Sequence, residues 1–155
     1  MMSEQTSFSA LRWLGARPST LQRLLDRLDL AVDFAPLVAE LQAALPVSTG
    51  KGRMPWPLET LCRISALALV FGWNGRQAED ALLDLPAVCS FCRLNDNGRR
   101  PPDAETVSGF RRKLQAAGLG AVIEDHLQAE LKRWGLRLAP GSTVEPRLTG
   151  GDGCA

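Results

Sequence analysis

The sequence predicts an all-α protein: a helical bundle with a helix-turn-helix-like unit and a short C-terminal tail that is β-like or disordered. Three observations carry this. Apolar residues recur at spacings of three and four through most of the 155 residues. Ser, Asp and Pro stand where those runs begin, and Gly or Pro where they end, as helix starts and stops require. Only after Gly135 does the pattern change character.

Leu21, Leu24, Leu25 and Leu28 share one face of a first helix, capped by Ser19 or Thr20 after Pro18. Phe34, Leu37, Val38, Leu41 and Leu45 form a second, ended by Pro46. Residues 47–54 (VSTGKGRM) are small, polar and basic, the composition of a linker. Pro55-Trp56-Pro57 opens a third helix through Leu58, Leu61, Ile64, Leu67 and Leu69. Its apolar residues cover much of the circumference, so it is expected to be central and buried. Gly72-Trp73-Asn74-Gly75 predicts a turn, residues 77–85 a fourth helix stopped by Pro86, and residues 88–94 a short fifth.

After the polar loop 95–98, Pro101 and Pro102 force an extended entry. Asp103 is then a natural N-cap, and Glu105 places negative charge near the positive end of the helix dipole. Val107, Phe110, Leu114 and Ala117 share an apolar face, from which Ser108, Arg111, Arg112 and Gln115 fall away. Gly118 stops this helix. A last helix over residues 120–134 carries Val122, Ile123, Leu127 and Leu131. Residues 136–138 and 142–145 read as short strands, and the glycine-rich residues 149–155 as disordered. The expected division is N-terminal helices over 1–46, a linker over 47–54, a helical domain over 55–135 and a tail over 136–155.

With 45% hydrophobic residues the chain is long enough for one ordinary core. A net charge of +1 excludes a uniformly basic coat protein, yet from Arg99 to Lys113 five cations face two acids. The acids, Asp103 and Glu105, are accounted for by capping, so a local basic patch remains. The four cysteines lack disulfide-framework spacing, the start lacks a secretory pattern, and the apolar run at residues 64–71 is too short to span a bilayer. These features predict a cytoplasmic protein with no membrane partner.

Cys89 and Cys92 have the spacing of a zinc knuckle or redox pair, but zinc needs two further ligands, for which only Cys62 and His126 offer themselves. Small buried core cysteines are the expected reading. His126, a lone histidine on a polar helix face, has no sequence partners for catalysis. Trp13, Trp56, Trp73 and Trp134 flank helix ends and are expected to be packing anchors. Lys51-Gly52-Arg53 resembles a minor-groove arm only loosely, and a solvated linker fits it better. The phosphate-binding glycine patterns of nucleotide sites are missing. For the basic helix the residues leave two readings open: a charged solvent face, or a surface that meets nucleic acid, with residues 77–85 and 88–94 as the preceding helices of a helix-turn-helix.

Three stretches bear on that choice: residues 54–64 (MPWPLETLCRI), residues 79–86 (EDALLDLP) with Phe91, and residues 102–111 (PDAETVSGFR). They resemble the N-terminal region of insertion-sequence-five family transposases, whose helices carry the patterns PxPxExxLRI, ExxLxDxP and PDxxTxxxFRxxL. Pro102, Asp103, Thr106, Phe110, Arg111 and Leu114 match the third. Leu119-Gly120 and the following helix also match, and residues 141–145 (GSTVE) resemble the GTxVD strand that begins the family's catalytic domain. The resemblance runs over roughly residues 18–148.

It implies a family of DDE enzymes, in which three carboxylates on an RNase H-like fold hold two metal ions, while the N-terminal helices bind terminal inverted repeats. Here Glu145 stands in place of the first catalytic aspartate, and the sequence ends ten residues later. The expectation is the DNA-binding N-terminal portion of an insertion-sequence transposase, truncated before its catalytic core and inactive alone. No catalytic residue, metal ligand or cofactor is assigned. Arg111, Arg112 and Lys113 are expected to contact DNA, with Arg99 and Arg100 gripping phosphate from the preceding loop. The expected partners are double-stranded DNA at the element's terminal inverted repeats, and with it a homo-oligomer or a full-length transposase. Two alternatives are the first-frame product of a frameshifted DDE transposase, and a truncated inhibitor or interaction module acting on full-length transposase.

Overall fold

The segment with apolar residues nearly all round, Leu58–Phe71, runs through the middle of the structure. The computed structural model describes residues 19–45, 56–94, 100–139 and 147–150. In chain order these form α1 (Thr20–Ala31), α2 (Ala35–Ala44), α3 (Leu58–Phe71), α4 (Gly75–Asp84), α5 (Pro86–Phe91), α6 (Ala104–Ala116), α7 (Val122–Lys132), β1 (Leu136–Ala139) and β2 (Arg147–Gly150). The class is all-α, as predicted. The strands β1 and β2 pair antiparallel, Leu136 opposite Gly150 and Ala139 opposite Arg147. Thr149 and Gly150 therefore belong to a strand rather than to a disordered tail. The predicted strand at 142–145 and the linker at 47–54 lie outside the described residues.

Ten of the fourteen residues of α3 are buried, and α2, α4, α6 and α7 pack around it. One hydrophobic core joins Leu25 and Leu28 of α1, Leu37 and Leu41 of α2, Ile64 and Leu67 of α3, and Leu127 and Leu131 of α7. The helix starts follow local chemistry. The Ser19 hydroxyl accepts from the Gln22 amide at 3.0 Å, so Ser19 is the cap of α1. Gly72, at φ 72°, ends α3 in the left-handed conformation that a glycine adopts without strain.

Several boundaries differ from expectation, each for an identifiable reason. Helix α4 begins at Gly75, not 77, because Asn74 and Gln77 form a capping box: each side chain bonds the other's backbone amide, at 2.8 and 2.9 Å. Pro86 does not stop a helix but starts α5, where its missing N–H is harmless. Arg93, at φ 61°, then ends that turn earlier than Leu94. Ala117 is exposed beyond the end of α6 instead of extending its apolar face. Helix α7 spans Val122–Lys132 rather than 120–134.

Inside the apolar packing lies one charged group. Arg63 of α3 is 5% exposed. Its Nε donates to Glu59 Oε2 at 2.9 Å, one turn earlier on α3, and its Nη1 donates to Asp29 Oδ1 of α1 at 2.9 Å and to the Phe91 carbonyl of α5 at 3.1 Å. The guanidinium carbon lies 4.5 Å from the centre of the Phe34 ring and 5.0 Å from that of Phe91. A buried cation is tolerable only with such partners, and a planar guanidinium can both stack on rings and fork its bonds. Arg93 adds a second cation from the outside, donating to both oxygens of Asp29 at 3.0 and 3.3 Å.

Helix α7 closes on the α1–α2 turn through two polar contacts. Glu130 Oε2 accepts from the Asp33 amide at 2.8 Å, and His126 Nε2 donates to the Asp33 carbonyl at 2.7 Å. Arg63→Ala is expected to lower the unfolding free energy by about 3 kcal/mol, the scale for truncating a large buried side chain. Asp29→Asn, which leaves the guanidinium stacked and bonded elsewhere, should cost about 1 kcal/mol. Urea unfolding measures both, and equal losses would show that the ion pair, not the burial, holds Arg63.

Candidate nucleic-acid interface

The start of α6 is built by two carboxylates. Asp103 Oδ1 accepts from the Thr106 amide at 2.8 Å and from the Thr106 hydroxyl at 2.7 Å, as the cap position predicts. Glu79 of α4 supplies the other: its Oε1 accepts from the Ala104 amide at 3.1 Å, while Oε2 accepts from Arg100 Nη2 at 3.1 Å. Two of the amides that a helix leaves unpaired at its first turn are thus satisfied, one of them from a different helix.

A close approach of α4 and α6 makes this possible. A Cβ placed on Gly75 would clash with Ser108 Oγ and lie 2.9 Å from the Ala104 carbonyl oxygen. Gly75 is therefore a contact residue, not part of a turn. Val107, Phe110 and Leu114 are buried and fix the inward face of α6. The helix-turn-helix expectation placed a tight turn before this helix. Residues 92–103 stand between α5 and α6, and the helix that α6 packs against is α4.

The predicted cations fall into three groups. Arg111 and Lys113 are exposed on α6 and pair with no carboxylate among the described residues. Arg112 is also exposed, and its Nη2 bonds Glu105 Oε1 at 2.6 Å, two turns back along the same face. Glu105 is thus more than a dipole charge. Arg100 is held by Glu79 at the foot of α6, its side chain 71% exposed. Arg99 lies outside the described residues, as do Lys51, Arg53 and Glu145. Exposed pairs of this kind contribute under about 1 kcal/mol, so phosphate can compete for either arginine. The sequence reading missed Glu79 and Gly75. Their partners in α6 are distant along the chain, although Glu79 opens one of the quoted patterns.

Other candidate chemistry is absorbed by packing. Cys62 and Cys92 are fully buried, and the Cys89 thiol donates to the Leu82 carbonyl at 2.8 Å. Burial, reinforced by the negative charge of Glu59, pushes the Cys62 thiol up to about 12; burial raises Cys89 and Cys92 as well. No group of three or more His, Cys, Asp or Glu among the described residues is placed to hold a metal ion. His126 packs near the Phe34 ring rather than standing alone on a polar face. Trp73 stacks on Phe71 at 4.5 Å, an anchor as expected, whereas Trp134 is 63% exposed and anchors little. Trp13 lies outside the described residues. A surface depression of about 340 Å³ is lined by Asp29, Asp33, Phe34, Glu59, Arg63 and Arg93 among others. The charges of Asp29, Glu59, Arg63 and Arg93 there are paired with one another. No described helix is long and apolar enough to cross a membrane.

Two glycines separate support from surface. Gly109, on the same helix as the cations, would place a Cβ 3.7 Å from Arg112 Nη2, an ordinary contact. Gly109→Ala is expected to stabilise the protein by up to about 1 kcal/mol through helix propensity. Gly75→Ala should destabilise it by about 1–3 kcal/mol through overpacking. Thermal unfolding tests the pair, and a Gly75→Ala protein as stable as the wild type would contradict the tight α4–α6 seam.

A family model described as "Transposase domain (DUF772)" matches residues 15–113, a segment that covers α1 to α5 and ends within α6 at the last of the three consecutive cations. No solved structure matches the chain.

Proposed function

Because the chain belongs to this transposase-domain family, we propose that it is a duplex-DNA-binding unit of DNA transposition, with α6 as the element that meets the nucleic acid. The observation that carries this is the pairing of a rigid mount with uncommitted charge. Glu79, Gly75 and the buried face of α6 fix the helix, while Arg111 and Lys113 project without carboxylate partners among the described residues. A protein of net charge +1 does not attract DNA by its total charge. It does so through a local patch, from which bound phosphate releases counterions.

Arg100 belongs to the same reading as a phosphate contact at the foot of the helix, exchanging its bond to Glu79 for a backbone oxygen. The proposed duplex is the end of the mobile element, where the resemblance to insertion-sequence-five transposases places recognition of terminal inverted repeats.

Gel-shift titrations over a range of salt concentrations test the proposal. Arg111→Ala/Lys113→Ala is expected to weaken binding to a random-sequence duplex and to reduce the slope of log affinity against log salt by about 2, roughly one for each lost phosphate contact. Unchanged affinity and slope in a folded variant would remove α6 from the interface.

A further inference from the structure

The three consecutive cations of α6 do not form one stripe. Successive residues of an α-helix lie about 100° apart around its axis. Val107, Phe110 and Leu114 define the inward direction by their burial. Opposite to it lie Glu105 and Arg112, seven residues apart and joined by their 2.6 Å ion pair. Arg111 and Lys113 therefore project to either flank of this outward ridge, both exposed.

We infer that Arg112 is a specificity-determining residue that reads a base edge, while Arg111 and Lys113 hold the phosphate walls on its two sides. This rests on the DNA-binding reading of α6 and divides the labour within it. A helix about 10–12 Å across fills a major groove about 12 Å wide. The residue at the middle of the outward face then meets the floor of the groove, and the flanking residues meet its walls. Arginine suits the central place because its planar fork matches the two acceptors of a guanine edge. A flexible lysine point charge suits a wall.

Two further features agree with this assignment. Glu105 draws the Arg112 guanidinium along the ridge, and because the side chains are 80% and 61% exposed the pair is weak enough to yield to base acceptors. Gly109, beside Arg112, keeps that part of the outer surface low: the nearest atom to a Cβ built there is Arg112 Nη2 itself.

The test uses the full chain and a pool of duplexes with a randomised central segment. Wild-type protein is expected to enrich duplexes with a guanine at one defined position. For Arg112→Ala, affinity for the unselected pool should stay within about threefold of wild type, since at most one charge contact is lost. Its preference for the selected duplex should fall roughly tenfold or more. Arg111→Ala/Lys113→Ala should weaken selected and unselected duplexes alike and keep the preference. Circular dichroism confirms that each variant is folded, as expected for exposed positions. If Arg112→Ala weakens both duplexes equally, or if wild type selects no sequence, the inference is overturned and DNA binding by α6 stands. If neither variant alters binding at all, the DNA-binding reading of α6 is itself overturned.

Discussion

The guanidinium of Arg63 is the constraint on which the packing of α1, α2, α3 and α5 turns. It lies between the rings of Phe34 and Phe91, bonds Asp29 on α1 and the last carbonyl of α5, and is braced by Glu59 on its own helix. An apolar side chain in its place would fill space but would leave the helices free to slide. The forked, charged group accepts few alternative arrangements, and its burial makes each missing partner costly. Its anionic partners keep access to water, with side-chain exposures of 37% and 45%. The desolvation therefore falls mainly on the arginine, which is the more weakly hydrated kind of cation.

That cluster orders one side of α3, and α6 lies on another. Helix α3 touches both α4 and α6, so the buried scaffold sets where the second pair of helices can lie. Between those two, the seam is made by an absent side chain and a carboxylate: Gly75 lets the backbones approach, and Glu79 uses that proximity to cap Ala104 and to hold Arg100. A site on a helix fixed from behind keeps its side chains in register with a ligand better than one on a loop. The same carboxylate that positions the helix also tethers one of the cations proposed to leave for phosphate, so support and surface are coupled at a single residue.

What was legible in the sequence was what is local. The apolar period of three and four located the helices, and Asp103, Glu105, Val107, Phe110 and Leu114 described α6 well because cap and core face lie within a few residues of one another. Pro86 and Gly75 were misplaced because each has two local meanings. Proline ends one helix or begins the next, and glycine makes a turn or admits a neighbour; the choice depends on the partner segment. Arg63 was invisible as an organising residue. Glu59 sits one turn away, but Asp29 and Phe91 lie 34 and 28 residues off, and no local pattern announces such a meeting. The basic patch was legible as composition. Its division into paired and unpaired cations was not, because Glu79 reaches Arg100 only through the α4–α6 seam.

The central claim is that the outer face of α6, mounted on α4, is the surface that meets duplex DNA. The most direct measurement is a two-dimensional NMR titration of the ¹⁵N-labelled chain with a short random-sequence duplex. The account predicts shifts concentrated at the amides of residues 105–116 and the side-chain Nε–H groups of Arg111 and Arg112, with the Arg63 Nε–H unmoved. Shifts centred instead on Asp29, Glu59 and Arg93, with α6 unperturbed, would contradict it.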